Sequence, residues 1–194
     1  VEGIRNIDLT DLLYADELGY KVKLLGIAQV RQKKIINFVY PCLVGKNELI
    51  SKVDGVFNGI VIESDFCKKS FFQGEGAGSQ PTATSVLSDI IDLSIKESKE
   101  KLKPKVKILK NINILDRSGS FYLRFSTIDQ PGVISGITSE FKKNNISMKT
   151  MLQKDGVPKE KKCATIVITT HTCNESDMMK ALKKINNLKF VLKK

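Results

Sequence analysis

Residues 122–154 read YLRFSTIDQPGVISGITSEFKKNNISMKTMLQK. Phe121 to Ile128 alternates as a strand does. Asp129-Gln130-Pro131-Gly132 follows, four residues whose chemistry is that of a tight turn. Val133 to Lys143 then carries Val133, Ile134, Ile137 and Phe141 at helical spacing, so it predicts an amphipathic helix. Ile146 to Gln153 predicts a second strand, and Asp155 to Lys162 a polar loop. Ala164 to His171, ATIVITTH, is β-branched and predicts a third strand. Asn174 can cap a second helix, with Asp177 in its first turn and Met178, Met179, Leu182 and Ile185 as its apolar face. Phe190 to Leu192 closes the series. The order is βαββαβ, an antiparallel sheet with two helices on one face.

Upstream the pattern differs. Ile7 to Gly19 predicts a short helix, capped by Asp8 or Thr10, with Leu12, Leu13 and Leu18 as its apolar face. Lys21 to Val30 and Lys34 to Leu43 predict strands joined by a polar turn at Gln32-Lys33. Val56 to Glu63 and Lys68 to Gln73 predict a second pair. Gly74, Gly76 and Gly78 make a permissive loop, and Pro81 suits the first turn of a helix running to about Ser98. Lys99 to Lys107 is charged, contains Pro104 and has no dense apolar face, which predicts a boundary. Val106 to Ile114 can add one strand-like segment. The chain is therefore expected to divide into residues 1–98, a linker at 99–118, and a second unit at 119–194.

The 194 residues carry a formal net charge of +11, which invites a nucleic-acid reading. From Gly119 onward 14 Lys/Arg face 6 Asp/Glu, against 18 and 15 before it, so the surplus lies mainly in the second unit. It is mostly lysine on helix faces and loops, without interleaved aromatics, and the third strand lacks the stacking residues of an RNA-binding sheet. A solvated basic surface is the expectation, with no nucleic acid and no membrane as partner. No leader pattern opens the chain and no apolar run is long enough to span a bilayer, so a cytoplasmic location is expected. Cys42, Cys67, Cys163 and Cys173 lack C-x-x-C spacing, and His171 stands alone, so reduced thiols and no metal site are expected.

Two motifs carry chemistry. In GEGAGSQPTA, residues 74–83, alternate glycines let a backbone approach a ligand, and the helix start offers free amides. Spacing alone leaves a tight structural turn equally open. The run VDGVFNGIVIESD with GEGAGSQPTATSVLSDIID, and the opening VEGIRNIDLTDLLYADELGYKVKLLGIA, resemble the homoserine dehydrogenase family over residues 1 to 95. The resemblance implies a partial α/β substrate and dimerisation domain with a mixed sheet, followed by a βαββαβ ferredoxin-like domain, an α+β chain as a whole. It implies an NAD- or NADP-dependent oxidoreductase interconverting homoserine and aspartate semialdehyde, with Gly78, and Gly76 beside it, against the cofactor. The family's dinucleotide-binding fold and its catalytic lysine segment match nothing here. Catalytic residues are therefore expected upstream, and the chain alone is expected to be inactive. Lys23, Asp54 and Glu63 do not match the catalytic motifs, and Asp54 before Gly55 reads as a turn residue.

The second motif resembles the ACT domain, in which D-x-P-G-V ends the first strand and N-N-I-S starts the second. The resemblance implies pairing of domains in a homodimer or higher homo-oligomer, and an amino-acid site, threonine by preference, at Asp129, Pro131, Gly132, Val133, Asn145 and Ile146. An ACT domain that only dimerises is the bland alternative. A free-standing amino-acid sensor is the rival function, and a sensor has no need of the glycine-rich loop.

Overall fold

The computed structural model describes residues 3–95, 108–155 and 163–192. The first helix, α1 (Leu9–Glu17), begins where Asp8 leaves helical geometry at φ −121°. The Asp8 carboxylate accepts from the Thr10 and Asp11 amides, and Asp11 accepts from the Asp8 amide in return. This reciprocal box satisfies amides that would otherwise lack partners, so Asp8 and not Thr10 is the cap. The buried face also differs from expectation. Asp11, Tyr14 and Ala15 are buried, whereas Leu12 and Leu13 are exposed. The reason is that α1 turns Asp11 toward two polar partners from the second unit, described below.

β1 (Tyr20–Arg31) and β2 (Lys34–Gly45) form a twelve-residue antiparallel hairpin. Gln32 and Lys33 both take positive φ, 48° and 62°, giving the mirror-image turn that matches strand twist, here without the usual Asn-Gly. A 3-10 turn at Leu49–Lys52 leads to the hairpin β3 (Phe57–Ser64) and β4 (Lys68–Glu75). α2 (Ser79–Ile95) follows the glycine-rich loop. The expected helix end at Ser98 and the linker at 99–107 lie outside the described residues. β5 (Lys110–Asn111) then pairs parallel with the start of β2, and the Ile112 amide donates to the Ile35 carbonyl at 2.8 Å. The first sheet is thus mixed, as expected. Of the anticipated strand from Val106 to Ile114, the described residues form only that two-residue return, followed by a 3-10 turn at Ile114–Asp116.

The second unit follows its expected order. β6 (Ser118–Gly119) leads to β7 (Tyr122–Ile128), α3 (Val133–Lys143), β8 (Met148–Asp155), β9 (Cys163–Thr170), β10 (Cys173–Asn174) and α4 (Glu175–Ile185). The sheet order is β7-β9-β8, antiparallel throughout, and β6 pairs with β10. The closing strand is only a bridge, Val191 to Thr127, flanked by hydrogen bonds from Ile128 to Phe190 and from Leu192 to Ser126. Phe125, Val133, Ile137, Phe141, Ile146, Ile166, Ile168, Met178, Ala181 and Ile185 make one continuous core. Each large side chain there contributes roughly 1.5–3 kcal/mol by leaving water. On α4 the inward positions are Met178, Ala181 and Ile185. Met179, expected inward, is 48% exposed, and the small Ala181 takes the central place against the core.

The residues before β5 bury far less. Along α2 Val86, Leu87, Ile90, Ile91 and Leu93 are all exposed, as are Ile60, Ile62 and Phe72 on the second hairpin. Two seams join this segment to the second unit. Arg117 pairs with the buried Glu175 at 2.6 Å, and its guanidinium lies 5.0–5.3 Å from the rings of Phe38, Tyr40 and Phe121. At the other seam Asp11, 3% exposed, accepts from the Tyr122 hydroxyl and the Arg124 Nε, each at 2.8 Å. Arg124 also reaches Asp8 at 2.9 Å.

Candidate functional site

The glycine-rich loop lies between the end of β4 and the start of α2. The Gly76 amide donates to the Val56 carbonyl at 2.8 Å, which ties the loop to the turn before β3. Its glycines differ. A Cβ on Gly76 would stand 1.8 Å from the Asn58 carboxamide, so that side is filled by the chain itself. A Cβ on Gly74 would meet nothing within 4 Å. Gly78 has φ +121°, which side chains rarely adopt, and a Cβ there would meet only the Pro81 ring. Thr82 donates from its amide and its hydroxyl to the Gly78 carbonyl, which fixes the loop on the first turn of α2. Gly78 therefore presents open backbone beside the unpaired amides of a helix start, an arrangement that admits close approach of a flat or anionic group.

The turn before β3 has its own anchorage, which the sequence did not announce. Lys23 donates to the Val53 carbonyl and to Asp54, at 2.5 and 2.6 Å, and Lys21 donates to the other Asp54 oxygen at 3.0 Å. The two ammonium groups hold the Asp54 carboxyl below its ordinary range. Asp54 is thus a paired residue as well as a turn residue. Glu63 sits opposite Lys69 across the β3–β4 ladder.

In the second unit a cleft of about 150 Å³ opens at the end of β7. Asp129, Pro131, Gly132 and Val133 line it, and Gln153, Ala164 and Ile166 line it too. The last three were missed because only strand pairing brings them there: Gln153 sits opposite Ile166, and Thr127 opposite Ala164. Gly132 caps α3 with φ +91° and no side-chain cap. Val133 and Ile134, whose amides open α3 and have no intrahelical acceptor, line the cleft. Asn145 and Ile146 are elsewhere. They end α3 at its other terminus, Asn145 at φ +54° and Ile146 buried, with its amide on the Phe141 carbonyl. The eleven residues of α3 separate them from Gly132 by roughly 16 Å.

Among the described residues no cluster of His, Cys, Asp and Glu could hold a metal ion, and no helix is long and apolar enough to cross a membrane. All four cysteines are free.

Comparison with known proteins matches two stretches of the chain. Residues 1–91 match the family model for homoserine dehydrogenase, and residues 121–190 match that for the ACT domain. A homoserine dehydrogenase of Helicobacter pylori is 38% identical over 99% of this chain and 45% of its own length. One from Neisseria gonorrhoeae is 33% identical over 100% of this chain and 46% of its own. The crystal structure of a homoserine dehydrogenase from Thiobacillus denitrificans superposes with a TM-score of 0.86 at 31% identity, covering 100% of this chain and 45% of that one. The chain thus spans about half the length of the relatives it matches.

Proposed function

We propose, from the match of residues 1–91 to the homoserine dehydrogenase family model and of residues 121–190 to the ACT-domain model, that this chain serves the NAD- or NADP-dependent interconversion of homoserine and aspartate semialdehyde, and places an amino-acid site beside it. The observation that carries the reading is the open glycine backbone at Gly78, fixed on the first turn of α2. A bound nicotinamide dinucleotide would supply the hydride acceptor. Gly78 offers it close backbone approach, and the α2 amides complement its negative charge. Gly76 supports that surface from behind through Asn58 and Val56. The groups that move the proton belong to the remainder of the enzyme, and the present residues alone turn over no homoserine. The division into a catalytic-domain segment at 1–98, a linker at 99–118 and an ACT domain at 119–194 is part of this proposal.

The uncovered apolar side chains of α2 and of the second hairpin fit a segment that lies against the rest of its enzyme and against a second copy. The second unit is proposed to take threonine between Asp129 and Val133. The amides of Val133 and Ile134 would hold the carboxylate, and turn carbonyls the ammonium group. Asn145 and Ile146 are too far along α3 to meet that ligand within one chain, so their part in the site falls to a paired copy.

Two measurements test the reading. Gly78→Val in the whole enzyme is expected to raise the dinucleotide KM or abolish activity while the protein stays folded; unchanged activity would reduce the loop to a turn. Threonine titration of this chain by calorimetry, with Gly132→Leu as control, is expected to show micromolar-to-millimolar binding, about the range of a few weak contacts. No heat at roughly ten-millimolar threonine would leave the ACT domain as a dimerising element.

A further inference from the structure

The Lys21–Lys23–Asp54 cluster has no role in the activity derived above, and it lies on the path to the cofactor loop. Lys21 and Lys23 are two apart on β1, so they share one face of the strand. Both reach the same short segment. Lys23, only 18% exposed on its side chain, holds the Val53 carbonyl and one Asp54 oxygen, and Lys21 holds the other. Two residues later the Val56 carbonyl receives the Gly76 amide. Gly55, at φ +65°, makes the turn between them, and the Phe57 amide closes it on the Asp54 carbonyl at 3.4 Å. The segment is also packed from below. A Cβ on Gly59 would meet Val53 at 2.7 Å and Ile50 at 3.1 Å, so Val53 lies close against β3. Val53 to Val56 therefore sits between a charged clamp on β1 and the amide of the glycine-rich loop, with little freedom on either side.

We propose that Lys23 is a positioning residue for the dinucleotide: through Val53 and Asp54 it fixes the turn that carries Val56, and through Val56 it sets the height of Gly76 and hence of the open backbone at Gly78. The inference rests on the cofactor reading of that loop. Lys23 touches neither cofactor nor substrate. Its effect belongs to the affinity for the dinucleotide, not to the chemical step.

The test uses Lys23→Met, Lys23→Arg, Lys21→Met and Gly78→Val, read in two ways. Hydrogen exchange in this chain reports the Gly76 amide directly. Steady-state kinetics of the whole enzyme report dinucleotide KM against kcat. Lys23→Met removes charge-assisted bonds in a partly screened site, so Gly76 is expected to exchange about 3- to 10-fold faster and the dinucleotide KM to rise by a similar factor, with kcat held. Lys23→Arg, which keeps the charge and the reach, should restore most of both. Lys21→Met, which removes only the outer contact to Asp54, should give the smaller effect; an effect equal to or larger than that of Lys23→Met would overturn the assignment to Lys23. Unchanged Gly76 exchange in Lys23→Met would overturn the proposal outright. So would faster exchange with an unmoved KM, provided Gly78→Val raises that KM. If Gly78→Val leaves the dinucleotide KM untouched, the cofactor reading has failed, and the exchange data alone then decide whether Lys23 positions the loop.

Discussion

Removing the Tyr122 hydroxyl should loosen the seam between α1 and the β7-β9-β8 sheet by a measurable amount. Asp11 is a buried carboxylate with three partners: the Tyr122 hydroxyl, the Arg124 guanidinium and the Asp8 amide. Tyr122→Phe deletes one hydrogen bond to a charged acceptor and leaves two in place, a loss of about 1.5–3 kcal/mol. Arg124→Met is harsher, because it leaves a buried carboxylate without its counter-charge, and costs about 3–5 kcal/mol. Chemical unfolding followed by circular dichroism measures both; in a chain of this length about 2 kcal/mol lowers the melting point by roughly 4–8 °C. The two changes share Asp11, so the double variant should cost less than their sum by about 1 kcal/mol. Alkaline pH supplies an independent check. Burial first, and the Asp11 hydrogen bond second, push the Tyr122 phenol above its ordinary value of 10.0. The folded state therefore holds the proton more tightly than the unfolded chain. The associated stability is fully present below about pH 10 and declines as pH rises beyond it. Single variants each costing under about 0.5 kcal/mol, or a strictly additive pair, would refute the idea that Asp11 is a shared buried hub.

Two further outcomes follow from local geometry. Gly136→Ala puts a methyl group 2.6 Å from the Phe190 ring, so overpacking is expected to cost about 1 kcal/mol, and an unchanged melting temperature would show that the ring moves aside freely. Cys67 is exposed whereas burial raises the Cys42 and Cys173 thiols, so maleimide near neutral pH should label Cys67 first; peptide mapping that finds Cys42 or Cys173 leading would contradict the burial.

Much of this was legible because local chemistry and tertiary packing agree. The bounds of α3 follow from one turn, one apolar stripe and a basic end, and the core residues Val133, Ile137 and Phe141 were identified from spacing alone. Periodicity failed where a polar group is the buried one. No hydrophobic pattern predicts that α1 buries Asp11 and exposes Leu12 and Leu13, since the cause is an arginine and a tyrosine more than a hundred residues away. The closing strand shrank to a bridge because a three-residue apolar run holds too little to specify a full ladder. At the candidate sites, residues contiguous in sequence were visible and those supplied by pairing were not. Asp129 to Val133 stood out, whereas Gln153, Ala164 and the two β1 lysines needed the register to be seen.

The parallel return of β5 onto β2 bears on how such a two-unit chain can change over time. It holds one end of the connection beside Ile35, and the described part of α2 ends at Ile95. For a loop in general, doubling the number of its residues costs only about 0.6 kcal/mol of closure entropy. The contacts at Arg117 and Asp11, each made by a few specific side chains, allow no such latitude. Changes of chain length should therefore be tolerated between the two units and excluded from the seams, so that the second unit could vary in its distance along the chain long before it varied in grip.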